Sequence, residues 1–406
     1  MRSLALKKLL AAAPVTVFAL YAFGGWAEAG YIQTNLVSDI PGLAALTVPS
    51  LMNPWGISFS STSPVWTSNQ LTNSATLFAV TSGLSVTQVS PAGTTGVIGI
   101  PTTTSGPPQG PTGQVNNTNT SSFVIPTSTG GNGAFAHFIF ANLNGTISAW
   151  NSGSTAFIQP SATISGAVYT GLAINQAQTM LYAANNAAGT IDVFNSSFSP
   201  VTLSAGAFAT PTAFSILGLV PFNVQDIGGD VYVTYAPAGE TAQETAALGE
   251  GGVAVFDESG DPLSVLITGI PGGPATPPLA APWGVALAPA SGFGQFSGDL
   301  LVGNFSYLNS EINAFDPTTG MFEGTIPIGG SGYTPGGLWA LEFGIGGSNG
   351  SPDILFFTDG INGQADGLFG AITVAVAEPP GLTVLAPGLV FLGVWQFARR
   401  SRAART

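Results

Sequence analysis

Five short runs of this chain end in a side-chain oxygen: Asn69 in SPVWTSN, Asn142 in HFIFAN, Asn185 in MLYAAN, Asn304 in DLLVGN and Asp359 in DILFFTD. Oxygen-only ligands suit calcium, which takes six to eight of them at ~2.4 Å. The same residue types also end strands without any metal, because Asn and Asp accept turn hydrogen bonds and tolerate left-handed backbone angles. Both readings stand at this level, although a feature repeated in unit after unit more often serves what the units share. Glu342, in GLWALEF, lies on another row, aligned with Ser58, Ala173, Gln225 and Ala286. It is one acid where a catalytic centre usually gathers several converging groups. The candidate calcium ligands are Asn185, Asn304, Asp359 and Glu342; no catalytic residue and no other cofactor is expected.

Other chemistry is harder to build. His137 is the only histidine and there is no cysteine, so His/Cys metal sites and a Ser-His-Asp choice have little to draw on. Asp257, Glu258 and Asp261 in FDESGDP make the densest acidic turn, which lacks EF-hand spacing and reads as a solvated hairpin. Residues 30–377 hold eighteen Asp and Glu and no Lys or Arg, against a net charge of −13 for the full chain. Phosphate backbones are bound through cations, so nucleic acid is excluded as a partner, and anionic lipid with it. With 45% hydrophobic and 10% aromatic residues the body has ample material for a core. Without disulfides, stability must come from packing and sheet hydrogen bonds.

These candidate groups are positioned by a repeat. NPWGISF, VYTGLAI, VPFNVQD, AAPWGVAL and GLWALEF align at Trp55, Thr170, Phe222, Trp283 and Trp339, spaced 115, 52, 61 and 56 residues apart. The first spacing is a double period and implies a hidden unit, whose first strand is expected at SSFVIP (121–126). The runs ending in Asn or Asp follow as second strands, joined by DVYVTYA in the fourth unit. GTISAWN, GTIDVFN, GGVAVFD, EINAFD and GLFGAITV supply third strands. Six such units predict an all-β, six-bladed β-propeller. The segment 31–39 is expected to complete the blade containing Trp339, with 371–377 as the alternative. Stretches 90–121, 236–250 and 269–282 read as rim loops.

The unit resembles the NHL-type repeat, best in blade three (Gly171, Asn185, Ile191, Phe194) and blade five (Gly284, Asn304, Ile312, Phe315), over roughly residues 50–375. That resemblance implies the fold far more than a function. Calcium-dependent lactonase-type propellers, which hold their ion in the central channel, supply the alternative of a calcium-assisted hydrolase or lactonase.

All seven Lys and Arg sit at the two ends. Arg2, Lys7 and Lys8 precede an apolar run and the small residues Ala27 and Ala29, the layout of a signal peptide (1–29) cleaved before Gly30. At the other end (378–406), AVAEPP precedes an uncharged stretch from Gly381 to Phe397, then Arg399, Arg400, Arg402 and Arg405. Its seventeen residues span ~25 Å as a helix, the low end for one transmembrane span. Such an Arg cluster stays cytoplasmic. This order resembles the PEP-CTERM sorting signal, with Glu378-Pro379 at its motif but Ala377 where the family has proline. The resemblance implies an exosortase-type membrane protease as partner, tethering through the C-terminal helix before processing, and delivery to the envelope or outside of a Gram-negative cell. The expectation is thus an exported propeller (30–377) with an N-terminal signal helix and a C-terminal transmembrane helix. Its role is read as binding or structural, with neutral extracellular polysaccharide suited to its aromatic faces and uncharged hydrogen-bonding groups.

Overall fold

Six antiparallel sheets follow one another along the chain in a computed structural model that describes residues 30–101, 109–268 and 278–375. Each innermost strand packs against the next: Pro54–Ser58, Pro111–Asn116, Tyr169–Ile174, Leu219–Ile227, Pro282–Leu287 and Leu338–Phe343, which returns to Pro54–Ser58. The body is therefore a closed six-bladed β-propeller. The signal and sorting segments, including Ala27, Ala29, Glu378, Pro379 and the four C-terminal arginines, lie outside the described residues. No described helix is long and apolar enough to cross a membrane.

Blade six closes the ring with both ends of the body. Leu338–Phe343, Leu355–Asp359 and Leu368–Val374 are joined by Tyr31–Ser38, which pairs antiparallel in register Tyr31↔Val374 to Ser38↔Leu368. Leu46–Thr47 adds a short parallel edge. Both segments proposed for closure from the sequence thus take part, one as third strand and one as fourth. Tyr31 also ties this blade to blade five, donating to the Phe293 carbonyl at 2.8 Å and stacking on Phe296 at 5.4 Å.

One expectation is corrected. The hidden innermost strand of blade two is Pro111–Asn116, not residues 121–126. The latter pack Phe123 against Phe198 and form a single bridge, Val124↔Phe135. The stretch 90–121 is likewise not all loop, since it also holds Val97–Gly99 at the outside of blade one. With Thr112 as the missing anchor, the anchor row reads Trp55, Thr112, Thr170, Phe222, Trp283 and Trp339, with even spacings of 57, 58, 52, 61 and 56.

Close packing about the axis explains the residue after the anchor. A Cβ at Gly56 would lie 2.6 Å from the Thr112 carbonyl oxygen, and one at Gly284 would lie 2.3 Å from that of Trp339. Glycine lets neighbouring backbones approach where no side chain fits. Beside it, every innermost strand shifts register against its second strand, between Pro54 and Ile57 in blade one and at the matching place in the other five. A regular strand would send positions three apart to opposite faces; a bulge re-aims them.

Candidate functional site

The anchor row fills one end of the axis. Trp55 stacks on Trp339 at 3.4 Å, Phe305 stacks on the other side of the cluster at 4.3 Å from Trp339, and Trp283 meets both indoles edge-on at 6.2 and 5.7 Å. Phe222 reaches Trp339 at 5.9 Å. Blades one, four, five and six meet here, which only the axis allows. The indoles are oriented by hydrogen bonds: Trp339 Nε1 donates to Asn53 Oδ1 at 2.9 Å and Trp283 Nε1 to the Thr170 carbonyl at 2.8 Å. Asn53 in turn donates to Gln70 and Gln364, and Gln364 donates to the Tyr307 hydroxyl and to Glu244. This amide chain braces the aromatic end.

Further along the same strands the axis opens into a cavity of about 210 Å³. Ser58, Gln114, Asn116, Gln178, Gln225, Asp226 and Glu342 supply its polar lining, between Ile57, Leu172 and Ile174. Glu342 therefore lies where its alignment places it, beside Ser58, Ala173 and Gln225, while Ala286 of that row does not line the cavity. Burial pushes the Glu342 carboxyl up to about 7, and no described side chain or amide donates to it. Asp226 is also raised, by burial first and by the Glu258 charge, against hydrogen bonds from Gln176 and Gly229. Gln114 donates to the Gly56 and Trp66 carbonyls, both at 2.7 Å, which leaves its buried Oε1 without a protein partner. The Ser58 hydroxyl is likewise unpartnered. Both oxygens are shielded from solvent, so neither is presented to the cavity as it stands.

The Asn and Asp row is not at this cavity. Asn69 donates to Thr76 at 3.1 Å, Asn142 to Ser148 at 3.3 Å and Asn185 to Asp192 at 2.9 Å, each across to the third strand of its own blade. Asn185 Oδ1 accepts from the Val168 and Ala188 amides, and Asn304 bonds the Pro278 carbonyl and the Ala280 amide. Asn185, Asn304, Asp359 and Glu342 are thus held in three different blades, and Glu342 sits three ladder positions from Asp359. No group of three or more acidic or histidine side chains able to hold a metal occurs among the described residues.

Asp359 departs from its row. The position that carries Thr76, Ser148 and Asp192 elsewhere is Gly370 in blade six, where a Cβ would lie 2.3 Å from the Phe357 ring. Asp359 is fully buried, neither oxygen has a protein partner, and burial holds its carboxyl well above the usual range. The acidic turn at 257–261 is held by backbone amides rather than by an ion: Asp257 accepts from the Ser259 and Asp261 amides at 2.8 and 2.9 Å, and Glu258 accepts from the Gln176 amide of blade three at 2.7 Å. His137 is exposed, against Phe135 at 4.6 Å.

Sequence reasoning placed Glu342 but missed Gln114 and Asn116, because their strand was hidden. The signal that finds them is Pro111-Thr112-Gly113, which matches Pro54-Trp55-Gly56 and Pro282-Trp283-Gly284.

No protein-family model matches the chain, and no characterised relative matches it in sequence. Solved structures of similar shape include a streptogramin B lyase, 11% identical with a TM-score of 0.47, covering 86% of this chain and 99% of that one. A Bacteroides thetaiotaomicron protein of unknown function is 12% identical with a TM-score of 0.48, covering 84% and 76%. Kuenenia stuttgartiensis hydrazine synthase is 12% identical with a TM-score of 0.43, covering 79% and 80%.

Proposed function

We propose that this is an exported, non-catalytic propeller of the bacterial envelope or extracellular matrix, whose axial mouth binds an uncharged, hydroxyl-rich ligand such as neutral polysaccharide. The observation that carries this reading is the lining of the mouth: the amides of Gln114, Asn116 and Gln225, the Ser58 side chain, no cation, and two acids whose pKa burial raises, Asp226 and Glu342, the latter largely protonated below pH 7. Such groups can exchange hydrogen bonds with sugar hydroxyls, and leaving them unmade is costly. An anionic ligand finds no counter-charge here, since the body has no Lys or Arg. The test is titration of the full chain with neutral oligosaccharides. Gln225→Ala is expected to weaken binding about tenfold; equal affinity for the variant would sink the reading.

The alternative, a calcium-dependent hydrolase or lactonase, needs Asn185, Asn304, Asp359 and Glu342 around one ion; Asn185 and Asn304 make their bonds in blades three and five, while Asp359 and Glu342 lie three ladder positions apart in blade six. Delivery is proposed to run through the signal peptide (Ala27, Ala29) and a PEP-CTERM-like tail read by an exosortase-type protease, supported by the order Glu378-Pro379, apolar stretch, Arg cluster. Replacing Arg399, Arg400, Arg402 and Arg405 with neutral residues is expected to change tail processing, and unaltered cleavage and localisation would count against it.

A further inference from the structure

The polar lining of the mouth does not stop at the axis. Asn116, at the end of the innermost strand of blade two, lines both the axial cavity and a second, open cavity of about 440 Å³ between blades one and two. That volume is in the range of ~300–1,000 Å³ usual for small-ligand sites. Beneath it lies a buried aromatic layer, Trp66 stacked on Phe138 at 4.1 Å with Trp150 leaning on Trp66 at 4.8 Å, and the aromatic faces open to the groove are those of Phe135 and His137. Trp150 Nε1 donates to the Gly153 carbonyl, and Trp66 Nε1, without a protein partner, is buried out of the groove's reach. Exposed His137 and half-buried Phe135 form one wall, and Ser60, Thr62 and Thr118 add hydroxyls.

The chemistry of this groove selects its occupant. No Asp, Glu, Lys or Arg lines it, and burial holds the His137 ring below its ordinary pKa, so it is neutral at physiological pH. A charged ligand would be desolvated there without compensation. A wholly apolar one would use only the aromatic side of the groove, leaving the remaining hydrogen-bonding capacity of Ser60, Thr62, Thr118 and Asn116 desolvated beyond the bonds they make to one another, to Gln178 and to His137. A pyranose satisfies both demands, with C–H groups against an aromatic face and hydroxyls toward the polar groups. Asn116 lines both cavities: its Nδ2 donates to the His137 carbonyl at 3.1 Å, and among the described residues no donor reaches its Oδ1.

We propose that the groove between blades one and two is a second sugar subsite, occupied by residues of the same neutral glycan chain whose other residues sit in the axial mouth, with Asn116 shared between them. This rests on the reading of the mouth as a glycan site. The test is calorimetric titration of the full chain with gluco-, galacto- and manno-oligosaccharides of two to eight units. Affinity is expected to rise with length beyond the shortest binding oligomer. Phe135→Ala and His137→Ala, both outside the buried core, are each expected to weaken the long oligomers about fivefold and to leave the short ones unchanged. Gln225→Ala is expected to weaken both. Tryptophan fluorescence gives a second readout, with a spectral change on adding long oligomers that shrinks in His137→Ala. If long oligomers bind the wild type and both groove variants equally, the groove is no subsite and the reading of the mouth survives. If no oligosaccharide binds at all, both fall.

Discussion

At the N-terminal ends of the innermost strands the axis is filled by Trp55, Phe222, Trp283 and Trp339, whereas three positions along the same strands Ser58, Gln225 and Glu342 line an open cavity. The two ends share backbone, register shift and blade order. What differs is side-chain size and polarity, so the fold does not decide which end binds. Aromatic area from four blades closes one end and carries stability. Amides at the other end forgo that stability and keep hydrogen-bonding groups within reach of a ligand. In a ring repeated six times, such division of labour along each strand lets one sequence row vary without disturbing the other.

The comparison breaks most decisively at the closed end. Trp339→Ala removes a ring packed against Trp55, Trp283 and Phe305, and is expected to lower unfolding free energy by about 3–5 kcal/mol, read by urea denaturation. A loss comparable to that of a surface substitution would mean that the aromatic end is not what holds the ring.

Asp359, buried beside this end, is expected to act in the opposite direction. Its folded pKa lies above the unfolded value, so stability is full below about pH 4 and is lost as pH rises toward the folded pKa, at up to about 1.4 kcal/mol per unit. Asp359→Asn should equal the wild type near pH 4 and exceed it at pH 8; a variant with an unchanged pH slope would refute the assignment. Glu342→Gln should show a weaker form of this at the open end. Between about pH 4.5 and 7 it flattens part of the stability profile, by less than Asp359→Asn because the side chain is only half-buried. Smallest of all is the effect expected from calcium. Millimolar calcium or chelator should leave the thermal midpoint unchanged, and a concentration-dependent rise would revive the ion site through mass action.

The sequence carried the blade number, the closure by residues 31–39 and the axial position of Glu342, because anchors, strand-ending Asn residues and alternating runs recur at one period. Blade two escaped because Pro111–Asn116 reads PTGQVN, with a Thr at the anchor and Gln114 where other blades have Ile57, Leu172 or Val285. That polarity hid the strand and gives the mouth two of its groups. The solitary state of Asp359 was not legible either. It depends on Phe357 occupying the space beside Gly370, a contact that no pattern along the chain encodes. The groove around Trp66 and Trp150 likewise requires two blades to be set side by side.

The closure has a consequence for timing. The amide of Ala375 bonds the carbonyl of Gly30, and Tyr31 pairs with Val374, so the final blade joins the first strand made to the last. Loops that span a whole chain are the slowest contacts to form. A chain still emerging from the ribosome therefore has an incomplete blade six and an unsealed ring for as long as its last strand is unmade.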